Sequence, residues 1–203
     1  MNKKDTFYFW YFVLHIPITV LIDSCLVIPR EYRHWVQASL VDFHVQQNKD
    51  FLLQNPPLWL QVFGAFELFF QLPVFFIAAY KLYAGYRNIH VILCVYGFNA
   101  SFTTAVCLAY VVKTAHVYGL STTEKWSLFA LYVPYLLIPG FMMVDSASRL
   151  ISWVDRLQRM DGKAQSEKPG KERGIHKAAS RSTSRASPKA TSKGAPKAVA
   201  QVH

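Results

Sequence analysis

The chain has 203 residues, is 52% hydrophobic and 15% aromatic, and carries a formal charge of +10. Those averages conceal two unlike parts: residues 7 to about 150 are strongly apolar, whereas 162–203 contain no aromatic residue and thirteen of the twenty-two Lys and Arg lie from Arg149 onward, so the basic balance describes a tail and not a fold. Cys25, Cys94 and Cys107 fall in or at the end of apolar stretches with no CxxC or ordered Cys/His spacing, which argues against a disulfide framework or a metal site and reads them as small buried hydrophobes.

Residues 1–6 form a short N-terminal start. Residues 7–28 follow with a single charge, Asp23. A signal peptide competes with a membrane span here, but the length, the embedded acid and the lack of a small-x-small cleavage site favour a retained helix, bent at Pro17 where the amide proton is missing. Residues 29–57 mix polar and aromatic types and predict an extramembrane cap with helix around 33–45; Pro56-Pro57 then marks the start of a second span, 58–80, whose one formal charge is Glu67. An Asp or Glu at the centre of a membrane helix costs roughly 2.5 to 3.5 kcal/mol, so such a group usually faces a protein interior or a cavity. Glu67 is therefore the first candidate functional residue.

A basic connector, 81–88, leads to a third span, 89–112, which is uncharged but holds Asn99, Ser101, Thr103 and Thr104, residue types that let helices approach and bond across their contacts. The fourth span, 126–145, contains Pro134 and Pro139. Three of the four spans thus carry proline, whose freed carbonyls need polar neighbours or a ligand. The expected fold is an all-α, polytopic membrane protein: a four-transmembrane-helix bundle over 7–150, followed by a disordered basic tail over 151–203. Lys3, Lys4, Lys81, Arg87 and the tail fall on one side, which the positive-inside rule makes cytoplasmic for both termini.

Depth supplies an independent test. At about 1.5 Å per residue, Asp23 lies roughly 7 Å below the outer end of the first span, Glu67 and Tyr135 roughly 13 Å below the ends of theirs, and Thr103 and Asn99 roughly 13 to 20 Å down. The polar groups of all four spans converge on one layer, the polar floor of a pocket. Thr19 and Asp23, like Glu67 and Gln71, are spaced i,i+4 and share a helical face. Two carboxyls close together at low dielectric are expected to share one proton, giving a site for a protonated amine or for a hydroxyl on a hydrophobic body.

Four signatures then become specific. His15-Ile16-Pro17-Ile18-Thr19 with Asp23 and Pro29-Arg30-Glu31, Lys49-Asp50 with Leu52-Leu53-Gln54 and Pro56-Pro57, Glu67-Leu68 with Phe70-Gln71-Leu72-Pro73, and Tyr132 with Pro134-Tyr135-Leu136-Leu137-Ile138-Pro139 resemble the sigma-2 receptor family, a branch of the EXPERA-domain proteins that also includes the emopamil-binding sterol isomerases. The resemblance spans about 7–145. It implies an endoplasmic reticulum protein, often a homodimer, with an enclosed cavity for sterols and cationic amphiphiles. It also implies roles: Asp23 as partner of a ligand amine, Glu67 as its hydrogen-bonded neighbour, Gln71 and Tyr135 as wall contacts, and Asp50 as a loop residue that folds back to order the entrance.

Departures bear on activity. The third span lacks the additional acid the isomerases use, and Phe63 stands where their histidine would precede Glu67 by a turn. Sterol double-bond migration needs a proton donor and acceptor on opposite faces of the substrate, so the expectation is a non-enzymatic binder without cofactor or metal. The alternatives are a sterol isomerase and a membrane scaffold that assists the targeting or transport of client proteins, as fungal members of the family suggest. The tail is expected to be solvated and without a specific partner; attraction to anionic lipid, each nearby basic residue contributing up to about 1 kcal/mol, is the alternative, and nucleic acid is not an expected partner.

Overall fold

The computed structural model describes residues 2–167, with side chains as far as 163; the basic tail from 168 lies outside the described residues. Four helical spans are long and apolar enough to cross a membrane: Lys3–Leu26, Leu58–Tyr83, Ile89–Thr114 and a last one beginning at Thr122. No strand occurs among the described residues, and the expected all-α membrane bundle is the observed architecture.

Helix α1, Lys3–Leu21, starts where the Asn2 side chain accepts a hydrogen bond from the Asp5 amide, and it tightens into a 3-10 turn over Asp23–Leu26. Helix α2, Trp35–Asn48, opens with a reciprocal capping box in which the His34 ring accepts from the chain and Gln37 Oε1 accepts from the His34 amide at 3.0 Å. Lys49 then adopts φ 53°, a left-handed cap that turns the chain so that Asp50 begins the short helix α3, Phe51–Gln54.

The second span is not one regular helix. α4, Leu58–Phe66, and α5, Leu72–Tyr83, are joined by a π turn over Glu67–Gln71, in which the Leu72 amide reaches back five residues to the Glu67 carbonyl. Pro73 follows at once and has no amide to place, so the register slips here at small cost.

Helix α6, Ile89–Thr114, packs on helix α7, Thr122–Glu167, at Gly97. A Cβ built on Gly97 would lie 2.5 Å from the Pro139 carbonyl oxygen and 2.9 Å from Met143 Cβ. Close by, the Ser101 hydroxyl donates to the Leu136 carbonyl at 3.0 Å, and Thr104 Oγ1 lies 3.4 Å from the Tyr135 carbonyl, the one that Pro139 deprives of its helical donor. Thr104 of the third span thus stands at the carbonyl that Pro139 frees in the fourth. α7 starts with a second capping box, Ser121 with Glu124, a spacing legible in the sequence as S-x-x-E.

The described chain forms two units. Within the first, Met1–Val154, aromatic side chains of α1, α5 and α6, including Tyr8, Phe12, Phe75 and Tyr96, make the largest buried cluster. The outward faces carry bare Phe69, Phe98, Leu137 and Phe141, as lipid-facing helices do. At the N-terminal end of α1 a compact charge cluster joins α1 to α7: Lys4 to Asp145 at 2.5 Å, Arg149 to Asp5 at 2.7 Å and to Asp145 at 2.8 Å, and Tyr8 donating to Asp145 at 3.1 Å. The second unit begins at Asp155; α7 runs into it to Glu167, and its residues 155–163 are exposed. Regular structure therefore continues past 151, where the irregular tail was expected to begin, because no proline interrupts 151–167 and the helix formers Arg156, Leu157, Gln158, Arg159 and Met160 follow one another there.

Gly97→Ala is expected to separate α6 from α7, since backbone and a Cβ oppose the new methyl. Its thermal midpoint in detergent falls by several degrees or the protein fails to accumulate, whereas Gly162→Ala, in open space on the same long helix, holds or gains up to about 1 kcal/mol.

Candidate functional site

Between the four helices lies a cavity of about 260 Å³. Its walls include His15, Ile18 and Asp23 from the first span, Leu60, Phe63, Glu67 and Gln71 from the second, Thr103, Thr104 and Cys107 from the third, and Leu131, Tyr132 and Tyr135 from the fourth; His44, Asp50 and Leu53 of the connecting segment close one end.

Of the candidate site residues, Asp23, Asp50, Glu67, Gln71, Thr103 and Tyr135 line this cavity, and Thr19 and Asn99 do not. Thr19 is fully buried behind the wall, and its Oγ1 lies 2.9 Å from Asp23 Oδ2 and 3.1 Å from Glu67 Oε1. Asp23 and Glu67 start at unequal depths, but Thr19, one turn before Asp23 and so about 6 Å deeper, stands level with Glu67 and bridges the difference. Gln71 is buried and donates through Nε2 to Asn99 Oδ1 at 2.7 Å, which fixes the amide of Gln71 from behind; Asn99 supports the wall without lining it. The Thr103 hydroxyl is engaged in its own helix, with the Asn99 and Ala100 carbonyls each 3.1 Å away, so Thr103 lines the cavity without a free hydroxyl proton. Tyr135 is 38% exposed, packs edge-on against His15 at 5.5 Å, and makes no hydrogen bond through its hydroxyl among the described residues.

Asp50 is almost fully buried and acts as a knot. Oδ1 accepts from the Leu52 and Leu53 amides at 3.1 and 3.2 Å, while Oδ2 accepts from the Tyr132 hydroxyl at 2.9 Å and has His44 Nε2 at 3.2 Å. One carboxylate thereby caps α3, holds α2 and ties both to α7. Sequence reasoning missed His44 and left Tyr132 without a role. The i,i+3 spacing of Tyr132 and Tyr135 puts both on one helical face and was an available signal. The His44–Asp50 contact depends on the left-handed Lys49 and had none. Among the described residues no group of three His, Cys, Asp or Glu is placed to hold a metal ion.

A bundle of four apolar helices enclosing a cavity lined by Asp23, Asp50 and Glu67 defines a multi-pass membrane protein with an internal, partly polar cavity. The family model "EXPERA (EXPanded EBP superfamily)" matches residues 36–146, and the chain belongs to that family. It is 35% identical over 151 residues to the Saccharomyces cerevisiae protein named efficient mitochondria targeting-associated protein 19, covering 68% of this chain and 94% of that one. It is also 34% identical over 143 residues to the human sigma intracellular receptor 2, covering 66% and 81%, and 30% identical over 143 residues to the Xenopus tropicalis protein of that name, covering 68% and 84%. The family resemblance read from the four signatures is the one the comparisons return. The matched segment contains Asp50, Glu67, Gln71, Asn99, Thr103 and Tyr135, while Thr19 and Asp23 precede it.

Tyr132→Phe should cost about 1–3 kcal/mol by removing one donor from buried Asp50, and Asp50→Ala more, because the cap of α3 is lost as well. Thermal unfolding of the purified protein in detergent measures both. Equal stability of Tyr132→Phe and the parent would contradict the knot.

Proposed function

We propose that the protein is a non-enzymatic receptor or regulator of the endoplasmic reticulum membrane, which holds a sterol or a cationic amphiphile in this cavity and acts in sterol homeostasis or trafficking. The observation that carries the reading is the Thr19 bridge between Asp23 and Glu67. A hydroxyl has one proton. Given to one carboxyl, it leaves the oxygen of Thr19 to accept from the other, so the three groups are fully bonded when one carboxyl is charged and the other protonated. A protonated amine pairs with the charged member, and a ligand hydroxyl can exchange bonds with the protonated one or with the free hydroxyl of Tyr135.

The cavity of about 260 Å³ lies just below the range of roughly 300–1,000 Å³ usual for small-molecule sites. A compact amphiphile fits within it; a sterol would place its polar end inside and extend past the half-exposed Tyr135. Isomerisation of a ring double bond is disfavoured by the same geometry. Asp23 and Glu67 meet on one hydroxyl, hence on one wall, whereas the reaction asks for a donor and an acceptor on opposite faces.

A second reading, a scaffold that assists the targeting of other proteins, is favoured by one observation, the name carried by the Saccharomyces cerevisiae relative. The two readings part on whether the cavity is occupied for function. Orientation follows the basic residues: Lys4, Arg87 and Arg149 all engage partners belonging to the charge cluster or to its neighbour Trp153, which supports placing that end, and both termini, in the cytoplasm.

Saturable binding of a radiolabelled cationic amphiphile to the purified protein is expected to weaken roughly 30-fold or more in Asp23→Asn and in Glu67→Gln, equivalent to about 2 kcal/mol or more. Thr19→Val should weaken it and Thr19→Ser retain it. Normal binding by both acid variants would remove the pocket from the account, and conversion of a delta-8 sterol by the purified protein would replace the receptor with an isomerase.

A further inference from the structure

Helix α2 lies outside the four spans, yet it carries apolar side chains on two opposite sides. One side faces the bundle: Val41 is buried and, with Val45, packs against Cys25, Leu53, Ile22 and Leu26. The other side presents Trp35 and Phe43, about two turns apart with the small Ser39 between them, and Leu40 one turn from Phe43. Trp35 and Phe43 are 72% and 68% exposed, and Tyr32, in the turn just before, is 77% exposed. A water-soluble surface helix would carry long polar or charged residues on that outer side. Here only the short Ser39 lies between Trp35 and Phe43, Asp42 at the edge is paired with Arg30 at 2.9 Å, and the polar Gln46 and Gln47 follow on this side only past Phe43, at the C-terminal end.

The depth of this face is fixed by hydrogen bonds. Gln37 Nε2 donates to the Val20 carbonyl at 3.0 Å and to Ser24 Oγ at 2.9 Å, and Arg33 donates to the Cys25 carbonyl at 2.6 Å and the Ile28 carbonyl at 2.9 Å. Val20 is six residues before the end of the span at Leu26, about 9 Å along the axis, so the start of α2 stands beside the end of the span and not above it. Val20 on the first span and Val27 just past its end, and Leu58 and Val62 at the start of the second, are themselves exposed and apolar. The bare face of α2 thus continues the lipid-facing surface of the bundle into the interfacial layer, where Trp and Tyr are favoured.

We propose that α2 is an interfacial membrane helix, whose face of Trp35, Leu40 and Phe43 inserts into the phospholipid leaflet at the end of the bundle opposite the Lys4–Asp145–Arg149 cluster. Its occupant is the bilayer itself. Because α2 also carries His44, which meets Asp50 at the end of the cavity, the lipid holds the cap of the site against the bundle from outside. This assignment does not depend on what the cavity binds.

The test uses the full chain in phosphatidylcholine nanodiscs. A nitroxide attached in Trp35→Cys or Phe43→Cys is expected to collide with oxygen several-fold more readily than with a water-soluble nickel chelate, and one attached in His116→Cys, exposed in the loop between the third and fourth spans, to show the reverse; the parent chain, with Cys25, Cys94 and Cys107, supplies the labelling background. Labels at 35 and 43 as open to nickel as the one at 116 would overturn the proposal in favour of a solvated face. Labels shielded from both reagents would overturn it in favour of a covering protein. A label-free measurement guards against a misfolded variant: brominated phosphatidylcholine should quench the emission of the parent more than that of Trp35→Phe, and equal fractional quenching would count against insertion.

Discussion

The hydroxyl of Thr19 stands between two carboxyl groups in a part of the molecule where water is scarce, and the arrangement of all four spans follows from having to accommodate that trio. An ionised carboxylate alone in hydrocarbon is prohibitively costly, and even a neutral polar group left without a partner costs several kcal/mol. The bundle meets the demand by bringing Asp23, Thr19 and Glu67 to one point, with 2.9 and 3.1 Å contacts, and by surrounding them with side chains whose own polar groups are largely satisfied elsewhere. Gln71 is held by Asn99, and Thr103 by its own helix. No buried side-chain nitrogen or oxygen is without a hydrogen-bond partner among the described residues.

The helices are irregular where the chemistry lies. Pro17 comes two residues before Thr19, Pro73 two residues after Gln71, and Pro134 and Pro139 flank Tyr135. Each removes an amide from a helical ladder, and a ladder with a missing donor bends or changes register more easily than an intact one. The π turn at Glu67–Gln71 is the clearest case, because it changes the angular relation between Glu67 and Gln71 and lets one face Thr19 while the other reaches Asn99. The third span has no proline. It contributes the hydroxyls of Ser101 and Thr104 to carbonyls of α7 and, through Gly97, the space that allows the two backbones to meet.

How much of this was legible depended on whether the signal was periodic. Four apolar runs of span length are hard to mistake, and counting rise along them placed Asp23, Glu67, Tyr135, Thr103 and Asn99 in one layer before any contact was known. What the count could not supply was connection. That the Thr19 hydroxyl bonds both Asp23 and Glu67, that Asn99 stands behind Gln71, and that the hydroxyl of Thr103 turns back on its own helix are outcomes of side-chain rotamers and helix packing, which a one-dimensional pattern does not encode. The boundaries of the spans were the least secure part. α7 passes through residue 145 without interruption because nothing near that position, neither proline nor a capping glycine, stops it.

The two ends of the bundle solve one electrostatic problem differently, and the difference bears on the site. At the N-terminal end, Lys4 and Arg149 balance Asp5 and Asp145, so the cluster carries no net charge while joining α1 to α7, with His90 of α6 bonded to Ser146 beside it. That is an arrangement for holding spans to one another where lipid gives way to water. At the opposite end a single carboxylate, Asp50, is stabilised by two backbone amides and the Tyr132 hydroxyl, with His44 alongside, and most of what it gathers is not transmembrane. Its work is to press the connecting segment against the fourth span. The cavity lies against this second knot, so its walls are set by the membrane helices while its end is set by a segment that owes its position to one buried acid.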